Sequence, residues 1–146
     1  MEHSYNELIS NRIFVGSADD ASKAVALEKV NQVFDVRVNG RQEAVEYLYT
    51  HSPILENQEA ATIKVGAEKI ATSYQAGEKI YIHCGSGTGR AAVMAAATLL
   101  EIGAASTVEA AIEQVMHARP GAKFQPKMEA ALKEPVSYTH LRAHET

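Results

Sequence analysis

One segment constrains this chain more than any other. Lys79–His83 (KIYIH) runs directly into Cys84–Gly89 (CGSGTG), and Arg90–Ile102 follows as an almost wholly apolar stretch. The first piece is a compact strand rich in β-branched and aromatic residues. Glycine at alternate positions 85, 87 and 89 lets the backbone turn tightly and approach a ligand without Cβ obstruction. The third piece carries apolar residues around its whole circumference, so it predicts a helix buried on most sides. A strand, a tight turn and a buried helix in immediate succession require layers of helix over sheet.

The remaining pattern agrees. Arg12–Gly16 (RIFVG) and Gln32–Val36 (QVFDV) read as buried strands, and Thr50–Leu55, interrupted by Pro53, as an extended segment or edge strand. Helices are expected over Ala18–Lys29, opened by Ser17 with Asp20, and over Arg41–Leu48 after an Asn39-Gly40 turn. Glu59–Tyr74 places Ile63, Ala67, Ile70 and Tyr74 on one face and is closed by Gly77. Ser106 with Glu109 forms a capping box for a helix ending before Pro120, and a short helix lies around Pro126–Lys133. Strands alternating with helices predict an α/β fold: a mainly parallel four- to five-stranded sheet flanked by helices.

At 146 residues the chain fits one domain. It carries a net charge of −4 with no run of Lys or Arg, so neither a nucleic-acid partner nor a membrane surface is expected. The longest apolar stretch, Ala91–Leu100, is too short to cross a bilayer, and no signal peptide is read at the start. A single cysteine excludes an internal disulfide and points to a reducing compartment, the cytoplasm. The last eleven residues, Val136–Thr146 (VSYTHLRAHET), read codon by codon as a translated sequencing-library adapter. The domain is therefore expected to span residues 1–135, with 136–146 a non-native tail and the authentic C-terminus lost near Pro135. A His140-x3-His144 metal reading goes with that tail.

The chemistry concentrates where the strand ends. In open α/β sheets, ligands bind beyond the carboxyl ends of the strands. A Gly-rich turn opening a helix can aim several backbone N–H groups at one point, and the helix dipole adds to their pull on an anion. Gly85, Ser86, Gly87, Thr88 and Gly89 are thus candidate phosphate-binding residues. The same donors favour a thiolate at Cys84, the candidate nucleophile. Arg90 can grip two phosphoryl oxygens through its planar fork, which Lys cannot do. His83 points to the opposite face of its strand and suits support of the loop.

The string His83-Cys84-x5-Arg90 resembles the signature of the cysteine-dependent protein tyrosine phosphatases. The chain length and the strand–loop–helix order look most like the compact dual-specificity branch and its small bacterial relatives. The resemblance covers the layout from Arg12 to Lys133, and its specific part is the signature itself. It implies a dual-specificity-phosphatase-like fold and hydrolysis of phosphate monoesters, such as phosphotyrosine, through a phosphocysteine on Cys84. It implies no metal and no organic cofactor. The partner would be a phosphorylated protein or small phosphate ester.

This sequence departs from the family pattern twice. The family usually carries Ser or Thr after the arginine, a hydroxyl thought to help the thiolate depart when the intermediate is hydrolysed; here the residue is Ala91. The family also places an aspartate on an upstream loop to protonate the leaving group. The corresponding stretch here is HSPILENQE, which makes Glu56 the first candidate acid and Glu59 the second. Either could instead be a solvated charge at a helix start. Asp35, at the end of the QVFDV strand, ranks third and could equally orient Arg90 or Arg37. Arg119-Pro120 reads as a helix end whose basic residue could face a phosphorylated ligand.

Two other readings compete. A rhodanese-type sulfurtransferase also sets a cysteine in a strand–loop–helix cradle, and a pseudophosphatase would bind phospho-ligands without turnover. The loop interior is uncharged and lacks the lysines that would suit highly phosphorylated inositol lipids. The sequence does not specify the oligomeric state.

Overall fold

The computed structural model describes residues 5–134; the segment read as an adapter-derived tail lies outside them. Ten elements follow in order: β1 Tyr5–Ile9, β2 Ile13–Gly16, α1 Ala21–Glu28, β3 Gln32–Asp35, β4 Tyr49–His51, α2 Glu59–Gln75, β5 Ile80–His83, α3 Arg90–Glu101, α4 Val108–Ala118 and α5 Pro126–Leu132. The strands form one five-stranded sheet in the order β1-β2-β5-β3-β4. β2, β5, β3 and β4 run parallel, and β1 returns antiparallel along β2.

The period-two alternation of the strands divides the core into two layers. Ile13, Val15, Phe34, Ile80 and Ile82 pack with Ile63 and Ile70 of α2, Met94 and Leu99 of α3, Val115 of α4 and Leu132 of α5. On the other face Phe14, Val33 and Tyr81 pack with Tyr5 and with Ala21 and Ala24 of α1. Tyr5 meets the edges of Phe14 and Tyr81 at centroid separations of 6.3 and 5.9 Å. β5 is central and covered on both sides, so all four of its residues are buried. Every α3 residue from Ala91 to Glu101 is buried as well. Its alanines let α2 come close, and a Cβ at Gly66 of α2 would collide with Met94.

Several boundaries differ from expectation. Residues 41–48 form no helix. Arg41 gives its backbone N–H to the Tyr49 hydroxyl (2.7 Å) and its guanidinium to the carbonyl of Ala18 (2.9 Å), which ties the segment to neighbouring loops. α1 starts at Ala21 because Ser17 Oγ accepts from Asp20 N (3.2 Å) in the turn before it. The α4 cap is Thr107, whose hydroxyl accepts from Ala110 N at 3.1 Å, one residue after the expected Ser106. β1 was not expected at all. α2 ends as expected beside Gly77, whose φ is +92°.

Candidate active site

The carboxyl ends of β2, β5 and β3 set the position of the loop at 84–90. Gly16 pairs with His83, as does Asp35, so the turns after all three strands meet. Ala18 N donates to Gly85 O (2.9 Å) and Val36 N to His83 O (2.9 Å), tying the two flanking turns to β5 and the loop. The Tyr81 hydroxyl donates to Ser17 O at 2.6 Å from beneath.

Cys84 sits at the end of β5, 7% exposed. Its Sγ accepts a hydrogen bond from Gly87 N at 3.2 Å, so the loop curls back over the sulfur. That curl needs glycine at 87, where φ is +82° and a Cβ would strike the backbone of Gly16. Gly85 and Gly89 have open space at the Cβ position. On the rim, the Ser86 and Thr88 hydroxyls lie 2.7 Å apart. Arg90 opens α3, and its Nε donates to Ile54 O at 3.3 Å, which leaves the terminal nitrogens of the fork for a ligand. Ala91 is fully buried directly after it.

Beneath the loop, His83 is fully buried and its Nδ1 lies 2.9 Å from Cys84 O, fixing the carbonyl of the cysteine. Burial pushes its pKa below the usual value of 6.5, and the Cys84 carbonyl and Asp35 only partly oppose this. With its Nδ1 against a carbonyl oxygen, neutral His83 is a donor to the loop.

The three acid candidates fall in different environments. Asp35 is fully buried and lies 3.8 Å from His83. It accepts from Arg37 N (3.0 Å), from Arg37 Nε (3.0 Å) and from the Tyr49 hydroxyl (2.6 Å), and its ion pair with the Arg37 guanidinium spans 2.8 Å. Burial raises its pKa, but these hydrogen bonds win and hold it below the ordinary carboxylate value. Through these contacts Asp35 orients Arg37 and organises the turn after β3. Glu59 lies in the first turn of α2 and receives Asn57 N (3.0 Å) and Lys127 Nζ (3.1 Å). Its pKa is lowered, chiefly by its own backbone N–H at the helix start, which suits a stable anion. Glu56 projects from the turn before α2 with its side chain 77% exposed and 3.7 Å from Lys127 Nζ. It follows closely on Ile54, whose carbonyl holds Arg90.

Arg119 was read from sequence as a basic residue at a helix end that could face a phosphorylated ligand. It is buried, and it turns toward the loop rather than toward a ligand. Nothing local marked it, because its partners are carbonyl oxygens distant in sequence.

A parallel-centred α/β sheet with a glycine-rich loop between its middle strand and a buried helix, together with the family match over most of the chain, marks a dual-specificity/protein tyrosine phosphatase-like enzyme. Residues 42–139, two thirds of the sequence, match the family described as "PTP-SAK: Swiss Army Knife protein, DSP-PTPase phosphatase domain", and the chain belongs to that family. No curated protein matches it. Among solved structures, human DUSP28 superposes with a TM-score of 0.78 at 19% identity, covering 100% of this chain and 98% of that one. PTPMT1 in complex with PI(5)P gives 0.77 at 19%, covering 99% and 100%. A leucine rich repeat and phosphatase domain containing protein from Entamoeba histolytica gives 0.76 at 16%, covering 98% and 95%. At these identities the likeness is one of fold.

Proposed function

We propose that this enzyme hydrolyses phosphate monoesters through a covalent phosphocysteine on Cys84. The observation that carries the reading is the hydrogen bond from Gly87 N to Cys84 Sγ, which supports it by placing a backbone donor of the loop on the sulfur. A phosphoryl group seated there meets the donors of 85–89 on its equatorial oxygens and the free fork of Arg90 beside them. Sulfur attacks phosphorus as the ester oxygen leaves, taking a proton from an acid; water then gives a proton back to that carboxylate and attacks phosphorus, releasing inorganic phosphate and returning the thiolate.

Glu56 is the acid we favour. It is the exposed candidate, carried on the segment whose Ile54 carbonyl holds Arg90, and the hydrogen bonds that commit Asp35 and Glu59 do not involve it. Phosphotyrosine and related aryl phosphates are the substrates we favour, since the loop offers one cradle and no charged side chain besides Arg90. A pure phospho-ligand binder would have no need of a thiol under the donors, which favours turnover over binding alone.

The test is hydrolysis of p-nitrophenyl phosphate between pH 5 and 7 in EDTA, comparing the parent with Cys84→Ser and Arg90→Ala. Activity that survives EDTA and disappears in both variants supports the thiol route. A folded parent without even a single-turnover burst overturns it, and phosphopeptide binding or thiosulfate sulfur transfer then becomes the question.

A further inference from the structure

Arg119 follows α4 and is only 8% exposed. Its Nε donates to Gly87 O (2.8 Å), one terminal nitrogen to Ser86 O (2.8 Å), and the other to Asn6 Oδ1 of β1 (2.7 Å). All three arms of the fork are engaged. No carboxylate is ion-paired with this guanidinium among the described residues, so its charge is directed at the loop.

The contact with Ser86 O has a specific consequence. A trans peptide is planar, with its C=O and N–H pointing in opposite directions. The carbonyl of Ser86 and the N–H of Gly87 belong to one such plane. With Arg119 holding the oxygen outside the loop, the N–H must face inward, where it meets Cys84 Sγ at 3.2 Å. A cation on the oxygen also polarises the peptide and strengthens the N–H as a donor. The Gly87 carbonyl, held by Nε, fixes the next plane in the same way.

We infer that Arg119 and Asn6 form a positioning pair for the phosphate cradle: Arg119 acts on the thiolate and the bound phosphoryl group through the Ser86–Gly87 peptide, and Asn6 aims Arg119. Neither touches the reacting atoms. Asn6 lies outside the matched segment 42–139, so the N-terminal strand contributes to a site that the family match does not reach. The inference rests on the reading of the loop as a phosphatase cradle.

The lone cysteine permits a test that does not depend on turnover. The rate of Cys84 alkylation by iodoacetamide is followed from pH 5 to 9, with and without inorganic phosphate, in the parent, Arg119→Met, Arg119→Lys and Asn6→Ala. Thermal melts establish that each variant is folded. In Arg119→Met the alkylation profile moves to higher pH, and the phosphate concentration giving half-protection rises about ten-fold, a fraction of the loss from deleting a direct oxyanion donor. Arg119→Lys, which keeps the charge, recovers part of both effects. Asn6→Ala, the milder change, moves both by about two- to three-fold. A folded Arg119→Met or Asn6→Ala with the parent's profile and phosphate protection overturns the inference. Failure of the phosphatase reading would show separately, as absence of aryl phosphate hydrolysis in a parent whose alkylation is still phosphate-protected.

Discussion

The proposed mechanism draws on the loop 84–90 and the segment 52–59, and the two are built in opposite ways. The loop is tied to its surroundings from several directions: Ala18 N on Gly85 O, Arg119 on two carbonyls, His83 on Cys84 O and Lys123 N on Thr88 O. The segment 52–59 is anchored at Ile54 and Glu59, while Glu56 between them projects into solvent. Groups that stabilise charge in the transition state gain from being fixed in advance. A proton donor needs only to reach the leaving group as it departs. Substitutions should therefore be felt through geometry in the loop and through leaving-group dependence in the segment 52–59.

The sharpest break comes from the loop's reacting groups. Cys84→Ser should remove measurable turnover, and Arg90→Lys should cost about 10²–10³-fold in kcat, since an ammonium cannot replace the fork. An Arg90→Lys enzyme within ten-fold of the parent would mean that Arg90 is not the phosphate clamp. Next is Glu56→Gln. With phenyl phosphate, a poor leaving group, kcat should fall about 10²-fold, while p-nitrophenyl phosphate should change little. Equal losses on both, or a leaving-group-dependent loss in Asp35→Asn alone, would move the acid elsewhere.

Ala91→Ser probes the second chemical step. Supplying the missing hydroxyl should speed phosphoenzyme breakdown about ten-fold and abolish a pre-steady-state burst that the parent should display. A parent without a burst would place the slow step before the intermediate. Gly87→Ala should destabilise the fold by about 2 kcal/mol in urea titration, because it combines a positive φ with a collision against Gly16. Gly85→Ala should stay near the parent, having open space.

The smallest effect is on pH stability. The folded pKa of His83 lies below 6.5, so the unfolded chain takes up the proton first. Its contribution is intact above pH 6.5 and is lost as the pH falls through that value. The urea midpoint should drop between pH 7.5 and 5.5, and less so in His83→Asn; equal slopes would exclude His83 as the cause. Asp35 acts in the opposite sense to a buried acid, contributing stability that is lost only below about pH 3.8.

The loop was legible in the sequence because its information is local: consecutive residues supply the strand, the glycines and the helix start. The helices α2, α3 and α5 were legible for the same reason, through periodicity and the turn residues beside them. What was missed depends on partners far along the chain. β1 is a strand because it lies along β2, not because YNELI is strongly β-forming, and residues 41–48 are held open by Tyr49 and Ala18. Arg119 reaches carbonyl oxygens more than thirty residues away, and a backbone acceptor leaves no trace in residue type. The acid stayed open among Glu56, Glu59 and Asp35 because charge alone does not show which carboxylate is already committed.

The meeting of Gly87 with Gly16 is a contact of main chain with main chain. Its tolerances are those of bond lengths and peptide planes, which do not vary with amino-acid identity. The cradle is thus shielded from the drift of side chains in the layers around it. Strands can exchange isoleucine for valine and helices can repack while the loop keeps its place over the sulfur. A chain sharing fewer than one residue in five with human DUSP28 still superposes on its fold along its whole length.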